Sequence, residues 1–293
     1  MVKKKISNGS WIANLIILVL LVMYALVCLL PFVHVLASSF STPAELLKHP
    51  FMLFPTEINT SAYKYVFSAS TLVRSLGVSA SITVVGTLFN MVMTTLMAYP
   101  LSRPQLMGKQ FFMRAVVFTM VFSGGMIPTF LVVRDLHLLD TYAALILPGA
   151  ISAFNLVIMK NFFQQIPLEV EESAKMDGCN DFQIYLMIML PLSMASLATL
   201  TLFYAVGHWN SYMNAILYIS DTKKYPVQVI LRQVVALASG GIGDSSMMDP
   251  DFVVPTATVK MATIVIAIAP IMIVYPFLQK YFVKGALLGS VKG

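Results

Sequence analysis

Apolar and polar residues follow one another along this chain in long blocks rather than at a helix or strand period. Six predominantly apolar runs occupy 11–37, 76–100, 111–133, 142–163, 185–208 and 259–282. Each is long enough to cross about 30 Å of hydrocarbon as a helix rising 1.5 Å per residue. The pattern predicts an all-α, polytopic membrane protein, a single transmembrane domain over 1–293 with six helices. Pro128 and Pro148 need not end their helices, since membrane helices tolerate proline, and Pro270 and Pro276 should kink the last one. A cleaved leader ending at Val35-Leu36-Ala37 is the alternative for the first run. That run exceeds the 7–15 residues of a leader's apolar region, so a retained helix is expected.

Composition agrees. Of 293 residues, 58% are hydrophobic and 11% charged, with a mean hydropathy of +0.81. Soluble domains need about 25% charged residues to solvate their surface. The net charge of +6 reads as cationic loops beside a membrane, not as a nucleic-acid surface. Three acid-free basic clusters, Lys3–Lys5, Arg103 with Lys109 and Arg114, and Lys280 with Lys284 and Lys292, fall on one side of six crossings. Both termini and the segment 166–184 should therefore be cytoplasmic, and the loops 38–75 and 209–258 external. Cys28 lies in an apolar run and Cys179 in a polar segment, so no disulfide is expected. The four histidines form no metal pattern, and no GxxxxGK[ST] phosphate loop is present. The six runs hold no Asp or Glu, which argues against a proton- or sodium-coupled carrier. An ion-coupled secondary sugar carrier remains the alternative, because backbone carbonyls can hold sodium. A pump built on this chain would draw its energy from another polypeptide.

The polar segment 166–184 carries the most specific pattern. Ile166-Pro167 suits a helix start, with Glu169, Glu171 and Glu172 near the positive end of its dipole. Gly178 can close that helix in the left-handed region, and Asn180 or Asp181 can cap a second helix running to Pro191. Ala174 and Gly178 are small enough for another backbone to approach closely. An interfacial connector and a docking knuckle both fit this pattern. Glu172-Ser173-Ala174, three residues, Gly178, nine residues and then Ile188-x-Leu190-Pro191 resembles the EAA signature of ABC-importer permeases, E-A-A-x3-G-x9-I-x-L-P. Ser173 is its one departure.

The resemblance covers nearly the whole chain and is closest to the second permease subunit of maltose-type carbohydrate importers. Gly124-Gly125-Met126-Ile127-Pro128, Leu138-Leu139-Asp140-Thr141, Trp209-Asn210 and the tail from Phe282 carry it further. The Gly-Gly-Met-Ile-Pro version resembles the subgroup handling complex or acidic oligosaccharides, an alginate importer's permease among them. The resemblance implies a type I importer fold, a heterodimer with a second permease, two cytoplasmic ATPases that carry ATP and magnesium, and an external solute-binding protein. It implies no cofactor and no catalysis in this chain. Glu172, Ser173, Ala174, Asp177, Gly178, Ile188, Leu190 and Pro191 would form the ATPase-coupling element, with Glu172 pairing to ATPase basic groups. The loop at Gly240, Gly241 and Gly243 would reach into the binding protein, and the tail Lys284–Gly293, too polar to continue a membrane helix, would enter between the ATPases.

Asn90, Thr94, Thr95 and Asn155 are polar groups at membrane depth. Interhelical hydrogen bonding explains them without a ligand, and contact with a passing sugar is the alternative. Trp209, Asn210 and Tyr212 end the fifth run with the chemistry sugars favour, but interfacial anchoring explains Trp and Tyr equally well.

Overall fold

The computed structural model describes residues 8–238 and 256–290, and these are helical with short connections and no strand. Three helices are long and apolar enough to cross a membrane alone, and three further spans arise if each sharply bent helix pair counts as one. The chain divides into two compact units.

The first unit is built around α1 (Asn8–Ser39), α2 (Pro43–Lys48) and α3 (Ser61–Ser68). Residues 13–33 of α1 are exposed on every side and strongly apolar, the signature of a helix surrounded by lipid or by another protein. Its end is tied down by polar contacts. His34 stacks on Phe51 with ring centroids 5.1 Å apart, and the Ser39 hydroxyl lies 2.7 Å from the Tyr63 hydroxyl. Thr42 caps α2 by accepting from Glu45 N–H, with Pro43 opening the helix. The segment 38–75 thus holds two helices and the start of the next rather than a plain loop.

The second unit begins within α4 (Ser70–Ser102), a 33-residue helix of roughly 50 Å that overshoots the 76–100 run at both ends. The 111–133 run is not one helix. It comprises α5 (Lys109–Val121) and α6 (Met126–Asp135), bent by 115°. Gly125 adopts φ +87°, and Pro128 falls in the first turn of α6, where a missing N–H costs nothing. The 142–163 run likewise splits into α7 (Ala143–Ile146), extended by a 3₁₀ turn through Gly149, and α8 (Ala153–Gln164), bent by 54°. Ser152 caps α8 by accepting from Asn155 N–H. These proline and glycine positions end helices where uninterrupted spans were expected.

After α8 come α9 (Leu168–Met176) and α10 (Asp181–Ile184), a π-turn over Tyr185–Met189, and α11 (Leu190–Leu192). Then α12 (Met194–Trp209) departs at 84°. The 185–208 run is therefore an elbow. Pro191 cannot donate to the carbonyl one turn back, and the chain accommodates it by widening, with Leu190 N–H donating to Tyr185 O. Short α13 (Met213–Tyr218) and amphipathic α14 (Val227–Ala238) follow, then α15 (Ala257–Ser290). Helix α15 runs through Pro270 and Pro276 and on to Ser290, so the segment after Lys284 continues the helix, contrary to the sequence expectation. Gly285 and Gly289 lower propensity by about 1 kcal/mol each without a proline to stop the helix. Residues 291–293 lie outside the described part.

The core of the second unit gathers Ala98 and Leu101 of α4, Val116 of α5, Leu156, Met159 and Phe163 of α8, Ala174 of α9, and Ile184, Tyr185, Met189 and Leu200 of the elbow. It lies where the polar 166–184 segment meets the apolar helices.

Candidate functional site

Pro167 stands at the N-cap of α9, and Glu169 and Glu171 occupy the first turn. The far end closes with two reciprocal bonds. Cys179 N–H donates to Ala174 O at 3.0 Å and Gly178 N–H to Lys175 O at 3.0 Å, a Schellman closure, with Gly178 at φ +87°. Asn180 then starts α10 with a capping box: its side chain accepts from Gln183 N–H, and the Gln183 side chain accepts from Asn180 N–H, both at 2.9 Å. Helix, left-handed turn and capped helix make a rigid knuckle specified almost entirely by local bonds.

Its outer side is open. Glu172, Ser173, Met176, Asp177 and Gly178 are exposed, and among the described residues nothing lies within 4 Å of where a Cβ on Gly178 would sit. Ala174 differs from expectation: it is 7% exposed and packs into the protein's own core, so only Gly178 offers a bare approach. Ile188 and Leu190 are half-buried against that core, while Pro191 is exposed at the elbow. In this chain the I-x-L-P part of the motif builds the π-turn.

The knuckle's inner side holds a pair that the sequence reading missed. Glu171 and Arg103, both more than nine-tenths buried, bring Oε2 and Nε within 2.8 Å. They are oppositely charged neighbours, although off the line of a straight hydrogen bond. In the sequence Arg103 reads only as an orientation charge. The available signal was an arginine directly after a long apolar run and a glutamate one residue before the motif. Neither names its partner. On the exposed side, Lys175 bonds Asp181 at 3.0 Å, which raises the lysine's pKa above its ordinary value.

A second set of polar contacts links α4 to the broken helices. Asn90 donates to Gly149 O, and its Oδ1 lies 3.1 Å from His208 Nε2. Gly86 makes room for that imidazole: a Cβ there would stand 2.6 Å from Nε2. Thr94 and Thr95 hydroxyls each lie 2.7 Å from a tyrosine hydroxyl, Tyr204 and Tyr185 respectively. Tyr204 also accepts from Ser152 N–H at the α7–α8 break. These groups are thus spent on helix-to-helix bonds, and those of Asn90 and Tyr204 satisfy the backbone at the α7–α8 break. Asn155 and Trp209 are buried, whereas Asn210 and the half-buried Tyr212 lie nearer the surface. Asn210 accepts from Gln228, and the Arg232 guanidinium lies 4.9 Å from the Tyr212 ring centroid. The glycine loop at 240–243 lies outside the described residues.

Near the same end, Asp140 adopts φ +60° and clamps a neighbouring turn. Its carboxylate accepts from Ser220 and Asp221 N–H and from Lys224, whose Nζ also reaches the Asp140 carbonyl. The Lys224 bond, then Asp221 N–H, holds the Asp140 carboxyl below its ordinary pKa. The clamp's contribution is therefore complete above about pH 4 and is lost only as pH falls through the depressed folded value.

The chain belongs to the family of binding-protein-dependent transport system inner membrane components, which residues 12–287 match. It is 58% identical over 273 residues to the polygalacturonan/rhamnogalacturonan transport system permease protein YtcP of Bacillus subtilis, covering 93% of this chain and 96% of that one. Over 267 residues it is 53% identical to Protein LplC of the same organism, covering 91% and 90%. A chain of the crystal structure of a bacterial ABC transporter involved in the import of the acidic polysaccharide alginate superposes with a TM-score of 0.85. That match has 34% identity and covers 94% of this chain and 98% of that chain.

Proposed function

We propose that this chain is one of two permeases in an ATP-driven importer of acidic oligosaccharides. It would take its drive through the α9–α10 knuckle from a cytoplasmic ATPase and its cargo from an external binding protein. The observation that carries the reading is the knuckle itself, locally rigid, anchored on its inner side and bare at Glu172, Asp177 and Gly178 on its outer side. A connector helix needs none of those three properties together. The exposed break at Ser123–Gly125 supports a second permease, because lipid cannot satisfy open backbone and another protein or an aqueous path must cover it.

Acidic cargo is supported by the named substrates of the permease from Bacillus subtilis and of the alginate transporter. It is also supported by Arg232, which rests on Tyr212 and pairs with no carboxylate among the described residues. Such a cation beside an aromatic ring and two amides suits a uronate, whose carboxylate and sugar face it can meet together. The test is uptake and ATP hydrolysis by the purified complex in proteoliposomes, comparing uronate oligosaccharides with neutral ones. Stimulation by the uronates is expected. Arg232→Gln should raise their half-saturation concentration by about two- to five-fold, as for one exposed charge contact. Stimulation by neutral sugars alone would remove the acidic assignment, and a preparation free of ATPase would remove the coupling.

The same reading puts both termini and the knuckle in the cytoplasm and the Asp140 clamp outside. In a background lacking Cys28 and Cys179, cysteines at exposed Leu47 and Ser220 should react with an impermeant maleimide in intact cells. Cysteines at Met107 and Met176, 91% and 89% exposed, should react only after lysis. The reverse labelling would invert the topology.

A further inference from the structure

Helix α9 follows α8 through the turn Gln165–Pro167, about which the rigid knuckle can rock as one piece. One buried group crosses from it to its neighbours. Arg103, at the end of α4, faces Glu171 of α9 at 2.8 Å, donates from Nη2 to the Met189 sulfur of the π-turn at 2.9 Å, and lies 5.4 Å from the Tyr99 ring centroid. Glu171 also accepts from the Tyr99 hydroxyl at 3.1 Å and stands 3.7 Å from Lys175 Nζ. A single guanidinium thus touches the second long helix, the knuckle and the elbow.

Burying an ion pair is a poor way to gain stability, because an apolar pair of similar volume avoids the loss of hydration. Close packing does not account for the arrangement either. A cavity of about 500 Å³, lined by Tyr99, Arg103, Glu171, Lys175, Asp181 and Tyr185 among others, opens beside the pair. Beside Ala174, which packs into the core, the charge pair and the Tyr99–Glu171 hydrogen bond hold α9 on that side.

We propose that Arg103 and Glu171 are positioning residues that brace the knuckle against α4 and the elbow. A push from a docked ATPase then moves those helices instead of being absorbed at the Gln165–Pro167 turn. This rests on the coupling reading above. The pair touches neither ATP nor sugar, so its loss should uncouple the machine rather than dismantle it.

The test uses the full complex in proteoliposomes and reads ATPase recovered per permease together with ATP hydrolysed per sugar moved. Glu171→Gln and Arg103→Gln should each raise the ATP cost per sugar by roughly ten-fold, the scale of a coupling loss between sites. ATPase recovery should stay near wild type, because Glu172 and Gly178 are untouched. The double variant Arg103→Met with Glu171→Leu fills the same space without charge. It should match wild type in thermal stability and ATPase recovery yet remain uncoupled. An unchanged ATP-to-sugar ratio in the single variants would overturn the proposal. So would normal coupling in the apolar double variant, or loss of ATPase from all three variants, since either outcome makes the pair simply structural. Absence of ATPase from the wild-type complex would instead overturn the coupling reading on which this one depends.

Discussion

Gly178→Val is expected to abolish transport and to strip the ATPase from the purified permease, while the membrane helices still insert. Gly178 holds φ +87°, and its N–H and that of Cys179 close α9 onto the carbonyls of Lys175 and Ala174. A β-branched residue in that region costs roughly 1–2 kcal/mol or more, and relaxing it breaks both closing bonds at once. Among the described residues none lies within 4 Å of the added Cβ, so the damage inside the permease falls on the backbone. Asparagine tolerates the left-handed region, which makes Gly178→Asn the informative companion. If Asn also sheds the ATPase, a partner surface packs against the bare glycine, whereas retention assigns the valine effect to the turn. Glu172→Ala should be milder, since an exposed ion pair is worth about 1 kcal/mol or less. The measurements are ATPase recovered per permease and sugar uptake in cells. Wild-type values for both in Gly178→Val would reduce the knuckle to a connector.

The second large effect is expected from one methyl group at the other end of the second unit. A Cβ on Gly86 would stand 2.6–2.9 Å from three atoms of the His208 ring. The ring cannot simply swing away without cost. It contacts Asn90, whose amide donates to Gly149 O at the break between α7 and α8. Gly86→Ala should favour the helix by up to about 1 kcal/mol through propensity alone, so any loss must come from the clash. Overpacking of this kind typically costs about 1–3 kcal/mol, enough to lower uptake about ten-fold if the break must hold its geometry during transport. ATPase recovery should be normal, because the added Cβ meets His208, which contacts Asn90, and not the knuckle. Adding His208→Ala frees the space and should restore part of the uptake. Normal transport by Gly86→Ala alone would show that the imidazole yields freely and that the Asn90 track plays no part in the transport cycle.

The two variants also separate what could be read from the chain and what could not. The apolar runs, the left-handed closure at Gly178 and the Asn180 cap were all legible, because each depends on residues within a few positions of one another. The three breaks were half legible. Gly124, Gly125, Pro148 and Pro191 marked the places, but a membrane helix can carry proline or glycine without ending. Whether it ends depends on what receives the freed backbone groups. Here that receiver includes the Tyr204 hydroxyl for Ser152 N–H and the Asn90 amide for Gly149 O, both supplied by other helices. The continuation of α15 to Ser290 shows the opposite outcome for a comparable signal.

By itself the sequence determined that the protein lives in a membrane as a helical chain, where its apolar runs lie, and that one polar segment folds into a capped, glycine-turned knuckle. Hydropathy, capping and backbone sterics act over one turn or one bilayer thickness, so they leave their mark in contiguous residues. Only the tertiary structure decided that Ala174 turns inward, that Asn90, Thr94 and Thr95 are spent on helix-to-helix bonds, and that Arg103 meets Glu171. Those outcomes depend on which distant segment comes to lie alongside. Partners for a buried charge or a freed carbonyl are chosen by proximity after folding, and spacing along the chain does not encode that proximity.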